Sequence, residues 1–132
     1  MHPLAISSLS FIGPLVLTTY NKQWYAAIVT MLILITSVSY HSTKDKTLMH
    51  IDIGACYILV TTYLAYAYKY KILYIGIPET LYVITIYHYG YRNQALAWSP
   101  NYYIATFWHG TIHVTVALTA TYGSYLIGPT DT

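Results

Sequence analysis

Charge is what this sequence most lacks. Only 8% of its 132 residues are Asp, Glu, Lys or Arg, against roughly a quarter in ordinary soluble domains, and the mean hydropathy is +0.45. Such a chain has too little polar surface to be covered by water, and the composition predicts a membrane protein. The basic residues Lys22, Lys44, Lys46, Lys69, Lys71 and Arg92 stand against Asp45, Asp52, Glu79 and Asp131 for a net charge of +2. That excess is too small and too scattered to line a nucleic-acid groove, so no nucleic-acid partner is expected. Cysteine is nearly absent: Cys56 stands alone, which excludes an internal disulfide and leaves packing within an apolar run as its expected role. Phenylalanine is scarce as well, 2 residues against 17 Tyr, so the aromatic supply is amphipathic rings suited to interfaces and to polar contacts between helices. The first residues, MHPLAISSLSF, lack the basic region and small-residue cleavage site of a secretory signal, and read as a retained helix.

What the chain has in abundance is long apolar stretches. Broken at its charges it gives five: Pro3 to Tyr20, Trp24 to His41, Leu48 to Tyr68, Ile72 to Tyr89, and Tyr102 to Leu126. Each approaches the roughly 20 residues a helix needs to cross a bilayer, and the connectors are short. The predicted fold is all-α: one transmembrane helical domain over residues 1–132, a multi-pass integral membrane bundle of about five helices. Gly13-Pro14 interrupts the first run, Pro78 predicts a kink in the fourth, and residues 90–101 form the longest connector. Trp24, Trp98 and Trp108 fall near span starts and read as interfacial anchors. Three basic residues lie on each side, so the positive-inside rule assigns no orientation.

Chemistry-bearing residues concentrate at span ends. His109 and His113 are four apart and share a helix face, so both can give a ring nitrogen to one ion, although six histidines produce such a spacing by chance fairly readily. Ser37 and His41 share a face by the same spacing, where the plain alternative is a serine bonding within the membrane and an interfacial histidine. Asp52 begins the third run, and a carboxylate within a span costs on the order of 2.5–3.5 kcal/mol on insertion scales, so it calls for a partner. Its alternative reading is a carboxylate favoured by the helix dipole at the membrane surface. Glu79, after Pro78, is the other intramembrane acid; it caps a restarted helix, lines a pocket, or marks a misplaced span. His50 and His88 read as interfacial. With five spans, the ends carrying His41, Asp52, His109 and His113 all fall on the side of the N-terminus.

The ordered set Ser37-x3-His41, then Asp52, then His109-x3-His113 in the last span resembles the CREST superfamily of membrane proteins, which includes the alkaline ceramidases and the adiponectin and progestin receptors. The resemblance covers the second, third and fifth spans. It implies that His41, His109 and His113 bind Zn2+ with a fourth position for water, that Asp52 takes or orients the water's proton, and that Ser37 stabilises the oxyanion or holds the metal's surroundings. Three neutral ligands leave zinc electrophilic enough to bring bound water near pKa 7 and attack a carbonyl. The function implied is a zinc-dependent intramembrane hydrolase of a lipid amide or ester, with a ceramide-like membrane lipid as substrate. The alternative is a non-enzymatic, zinc-containing receptor-like or structural protein. Family members have seven helices, three of them between the aspartate helix and the HxxxH helix, where this chain has one. The missing wall leaves a lipid tail to the bilayer or to a second copy in a homo-oligomer.

Overall fold

The computed structural model describes residues 2–130 and is helical, with no strand among the described residues. The helices are α1 (Pro3–Tyr20), α2 (Trp24–Thr43), α3 (Lys46–Lys69), α4 (residues 73–93) and α5 (Tyr102–Ile127). Three of them, α1, α2 and α3, are long and apolar enough to cross a membrane. The expected breaks take different forms. In α1 the chain tightens into a 3-10 turn at Leu9–Phe11 and continues through Gly13-Pro14, because Pro14 lacks the N–H that would bond the Ser10 carbonyl. In α4, Pro78 sits inside a continuous Leu73–Ile84 helix, and the irregularity the sequence did not announce is a π-helical turn at Thr85–Tyr89, followed by a last α turn at Gly90–Asn93.

Lysine, not glycine, closes the first three helices. Lys22, Lys44 and Lys71 all take left-handed φ values near +60°. After two of them the next amide reaches back five residues, Gln23 N to the Thr18 carbonyl and Ile72 N to the Ala67 carbonyl, both at 2.8 Å. These close the helix ends as Schellman turns; a left-handed lysine costs about 1–2 kcal/mol of backbone energy and sets its ammonium beside the negative end of the dipole. Starts are capped by side chains: Asp45 accepts from Thr47 N (2.8 Å) and Leu48 N (3.0 Å), and Asn101 from Tyr103 N and Ile104 N. The capping carboxylate of α3 is therefore Asp45. Asp52 lies well beyond the first turn, which removes the surface-dipole alternative for it.

The bundle is inverted relative to a soluble one. Ser8, Thr18, Gln23, Thr30, Thr36, Ser37, His41, Asp52, His113 and Ser124 are buried, while Ile12, Val16, Ile28, Ile35, Ile58, Leu81, Phe107 and Leu118 are exposed. Its small apolar core, Phe11, Ile33, Ala55, Leu59 and Ala117, joins α1, α2, α3 and α5. At the end opposite the start of α1, polar side chains clamp α5: Asn21 Nδ2 donates to the Ser124 carbonyl (2.9 Å), Gln23 Nε2 to the Gly128 carbonyl (2.9 Å), and Ser124 Oγ to Gln23 Oε1 (2.8 Å). The clamp leaves the other end of α5, which carries His109 and His113, in register with the starts of α1 and α3 and the end of α2.

Candidate metal centre

His41, near the end of α2, and His109 and His113, in the first half of α5, each bring one ring nitrogen within 4.8 Å of the others'. Their ring centroids are 5.0–5.2 Å apart. Around an ion with nitrogens at 2.0–2.1 Å, tetrahedral ligand atoms stand about 3.3 Å apart, a gap that small rotations of the rings close. His41 and His113 are buried, and both His41 nitrogens lack any hydrogen-bond partner. An imidazole buried with donor and acceptor both unmet costs about 1–3 kcal/mol per group, so this ring fits a position that bonds an ion.

The proton assignment that puts both serine hydroxyl protons on the Leu4 carbonyl leaves Nε2 of His113 facing the cluster as an acceptor. Ser7 and Ser8 each donate their single hydroxyl proton to the Leu4 carbonyl, at 2.9 and 2.8 Å. As acceptors they then receive the His113 Nδ1 proton, Ser7 at 2.8 Å and Ser8 at 3.3 Å. Ser8 also receives the Ser37 hydroxyl proton at 2.9 Å, so Ser37, 3.5 Å from His113 Nε2, has no proton left to offer it. The Nε2 lone pair stays free for an ion, the arrangement that a ligating histidine takes when its other nitrogen is anchored.

Asp52 is buried and receives the Thr36 hydroxyl proton at 2.8 Å on Oδ1. It shares with His41, His109 and His113 the wall of a cavity of about 670 Å³. Ser37, fully buried, stands beside His113 within the bundle. All five residues singled out in the sequence thus gather at one end of the bundle. Several participants had no spacing to mark them: Ser7, Ser8 and Thr36, whose only signal is polarity inside an apolar stretch, and His2. His2 stacks on His41 with centroids 6.4 Å apart and a tilt of 11°. Burial, then the Lys44 charge, holds the His2 imidazole below the usual histidine range, and burial likewise draws Lys44 down.

Other expectations change. Trp98 is not an anchor at a span start: it sits in the 3-10 turn Leu96–Trp98, edge-on to Tyr87 (5.3 Å) and Tyr91 (4.9 Å), on the cavity wall. Cys56 is exposed rather than packed, and also lines the cavity. Glu79 is half-buried and caps nothing; it accepts from Thr115 (3.1 Å) and Thr119 (3.2 Å) of α5. His50 and His88 are exposed and outside the cluster.

The fold and site define an all-helical protein with a three-histidine centre able to hold a metal ion. No family model, characterised protein or solved structure matches the chain.

Proposed function

We propose that this chain is a compact membrane protein of five transmembrane helices, a shortened relative of the CREST superfamily, and that its centre is a zinc site hydrolysing a lipid amide or ester, ceramidase-like in chemistry. The observation that carries the reading is His41: two unmet ring nitrogens beside His109 and His113, on the wall of a cavity that also presents a carboxylate. The apolar exterior extends to α4 and α5 through Ile77, Leu81, Ile84, Phe107 and Leu118, while their polar groups turn inward, which supports five lipid-facing helices.

Three neutral nitrogens suit zinc, and the ion supplies a Lewis acid that polarises a carbonyl and acidifies water. The chain's own groups do the rest. Asp52, oriented by Thr36, accepts a proton as water adds to the carbonyl carbon and returns it to the departing amine or alcohol, leaving a carboxylate and the protonated amine from an amide, or a carboxylic acid and the alcohol from an ester. Ser37 acts behind His113, holding Ser8 in place, which favours the supporting role for this serine. A non-enzymatic structural zinc is the second reading, favoured by how deeply His41 and His113 are enclosed.

Elemental analysis of detergent-purified protein tests both readings. We expect about one zinc per chain, lost in the His109→Ala, His113→Ala double variant. In the hydrolase, Asp52→Ala keeps the zinc and loses lipid amide and ester turnover; in the structural case there is no turnover to lose and chelation loosens the fold. A folded wild type without zinc, purified free of chelator, would refute both.

A further inference from the structure

The large cavity has two chemically distinct parts. Its depth is apolar, with Val60 and Val83 among its walls, and its volume lies in the range of about 300–1,000 Å³ found for small-molecule sites. Its rim, at the connectors beside the histidines, is formed by His2, Lys44, Trp98 and Tyr102, and here hydrogen-bond donors outnumber acceptors.

Each donor can be counted. Lys44, left-handed at φ 60°, lines the cavity, and its ammonium lies 5.4 Å from the Tyr40 ring centre. Among the described residues no carboxylate pairs with it: the adjacent Asp45 spends Oδ1 on the α3 cap, and Asp52 takes its one hydrogen bond, on Oδ1, from Thr36. Tyr102 is the second donor. His2 Nδ1 accepts from Leu4 N (3.2 Å), so the ring proton sits on Nε2 and is given to the Tyr102 oxygen at 3.0 Å. The phenolic proton of Tyr102 is therefore left without an acceptor in the protein. Trp98 is the third: its indole N–H is buried, has no partner, and belongs to a residue on the cavity wall. It is held there by a backbone that costs energy, since Leu96 takes a left-handed φ of 55°. Gly90 leaves the room: a Cβ at that position would lie 2.7 Å from the Ala95 carbonyl.

An ammonium and a phenol whose protons meet no acceptor in the protein, with the unmet indole N–H of Trp98 enclosed behind them, make a rim for an oxyanion, and an apolar chamber lies beneath it. We infer that the cavity takes a single-chain acyl lipid whose head group is anionic, a carboxylate or a phosphate, with the head at the Lys44, Trp98 and Tyr102 rim and the chain in the apolar depth. The inference rests on the cavity being a lipid site. It narrows the substrate of the proposed hydrolase to an acyl amide or ester whose departing half carries the acid.

Binding to the metal-free protein tests the rim apart from the centre. Chelator-treated protein in neutral detergent is titrated with N-lauroylglycine, with dodecyl phosphate, and with the neutral N-lauroylethanolamine. We expect at least one of the two anions to bind about tenfold or more tightly than the neutral lipid, by a charge-assisted contact, and the preference to disappear in Lys44→Met while surviving in Lys46→Met. Whichever anion leads identifies the head group. Equal affinity for all three lipids in the wild type, or a preference that persists in Lys44→Met or falls equally in Lys46→Met, would overturn the inference. Failure of the zinc reading shows instead in the elemental analysis, and a thermal midpoint of the chelated protein, retained where the fold survives loss of the ion, keeps a loosened fold from standing in for a lost preference.

Discussion

Removing the two hydroxyls behind His113 is the sharpest probe of how the centre is held. Ser7 accepts the Nδ1 proton at 2.8 Å and Ser8 at 3.3 Å, so the single variant Ser7→Ala leaves a longer substitute in place. An ordinary hydrogen bond contributes about 0.5–1.5 kcal/mol net, which corresponds to zinc binding roughly 2- to 12-fold weaker. In Ser7→Ala, Ser8→Ala the Nδ1–H has no acceptor inside the bundle. A buried donor left unmet costs about 1–3 kcal/mol, or roughly 5- to 150-fold, in line with the 10- to 100-fold typical for the outer partners of a metal-ligating histidine. The double variant therefore loses more than Ser7→Ala alone. The assay is competition with a fluorescent zinc chelator in neutral detergent, with the thermal midpoint of the metal-free variants measured alongside to separate ion binding from folding. A folded double variant that binds zinc within about threefold of the wild type would refute the proton accounting, since it implies a cost below the range for a buried unmet donor.

Two further outcomes follow from packing. A methyl group at Gly90 would stand 2.7 Å from the Ala95 carbonyl oxygen, so Gly90→Ala should destabilise by about 1–3 kcal/mol through overcrowding despite the better helix propensity of alanine; an unchanged melting temperature would show that residues 94–98 do not lie against α4. Glu79→Leu should stabilise or leave unchanged the detergent-solubilised bundle, because the carboxylate receives only an undivided bond from Thr119 and one from Thr115 that is shared with the Thr111 carbonyl at 2.8 Å, against an insertion cost of a few kcal/mol. A marked fall in melting temperature would instead assign Glu79 a partner that the bundle needs.

The helices and the gathering of the centre were legible because both rest on signals that survive in one dimension. Apolar runs bounded by lysines give the helices, and an odd number of helix reversals brings the end of α2 and the starts of α3 and α5 to the same end. The i, i+4 spacing then puts His109 and His113 on one face. What escaped were features decided by three-dimensional packing. The π turn at Thr85–Tyr89 has no composition of its own; it occurs where the chain from Gly90 folds back over α4. Asp45 and Asp52 read alike as acids near a helix start, and only the cap geometry assigns the first to the backbone and the second to Thr36. Trp98 resembled an anchor because tryptophans near span starts usually are, whereas the connector is long enough to turn it inward. Ser7 and Ser8 were invisible as partners of His113, since 106 and 105 residues separate them from it.

Those two serines also bear on how a bundle with so few helices could keep such a centre. The helix that carries His109 and His113 is held at one end by the Ser7 and Ser8 acceptors of α1 and at the other by the Asn21 and Gln23 amides that follow α1. Both ends of α5 are thus tied to α1 and the turn after it, while Tyr82 and Glu79 of α4 bond the middle of α5 at Thr111, Thr115 and Thr119. His41 reaches the cluster from α2, which packs against both α1 and α3. On the proposed relationship to the CREST superfamily, fewer helices between the aspartate and the histidine pair thin the chamber while leaving His41, His109 and His113 together. In the proposed lipid hydrolase, changes along α4, at Val83 for example, should alter which lipid fits, and changes on α1 should alter whether the ion stays. Under that proposal, selectivity is weighted toward α4 and metal retention toward α1 and α2.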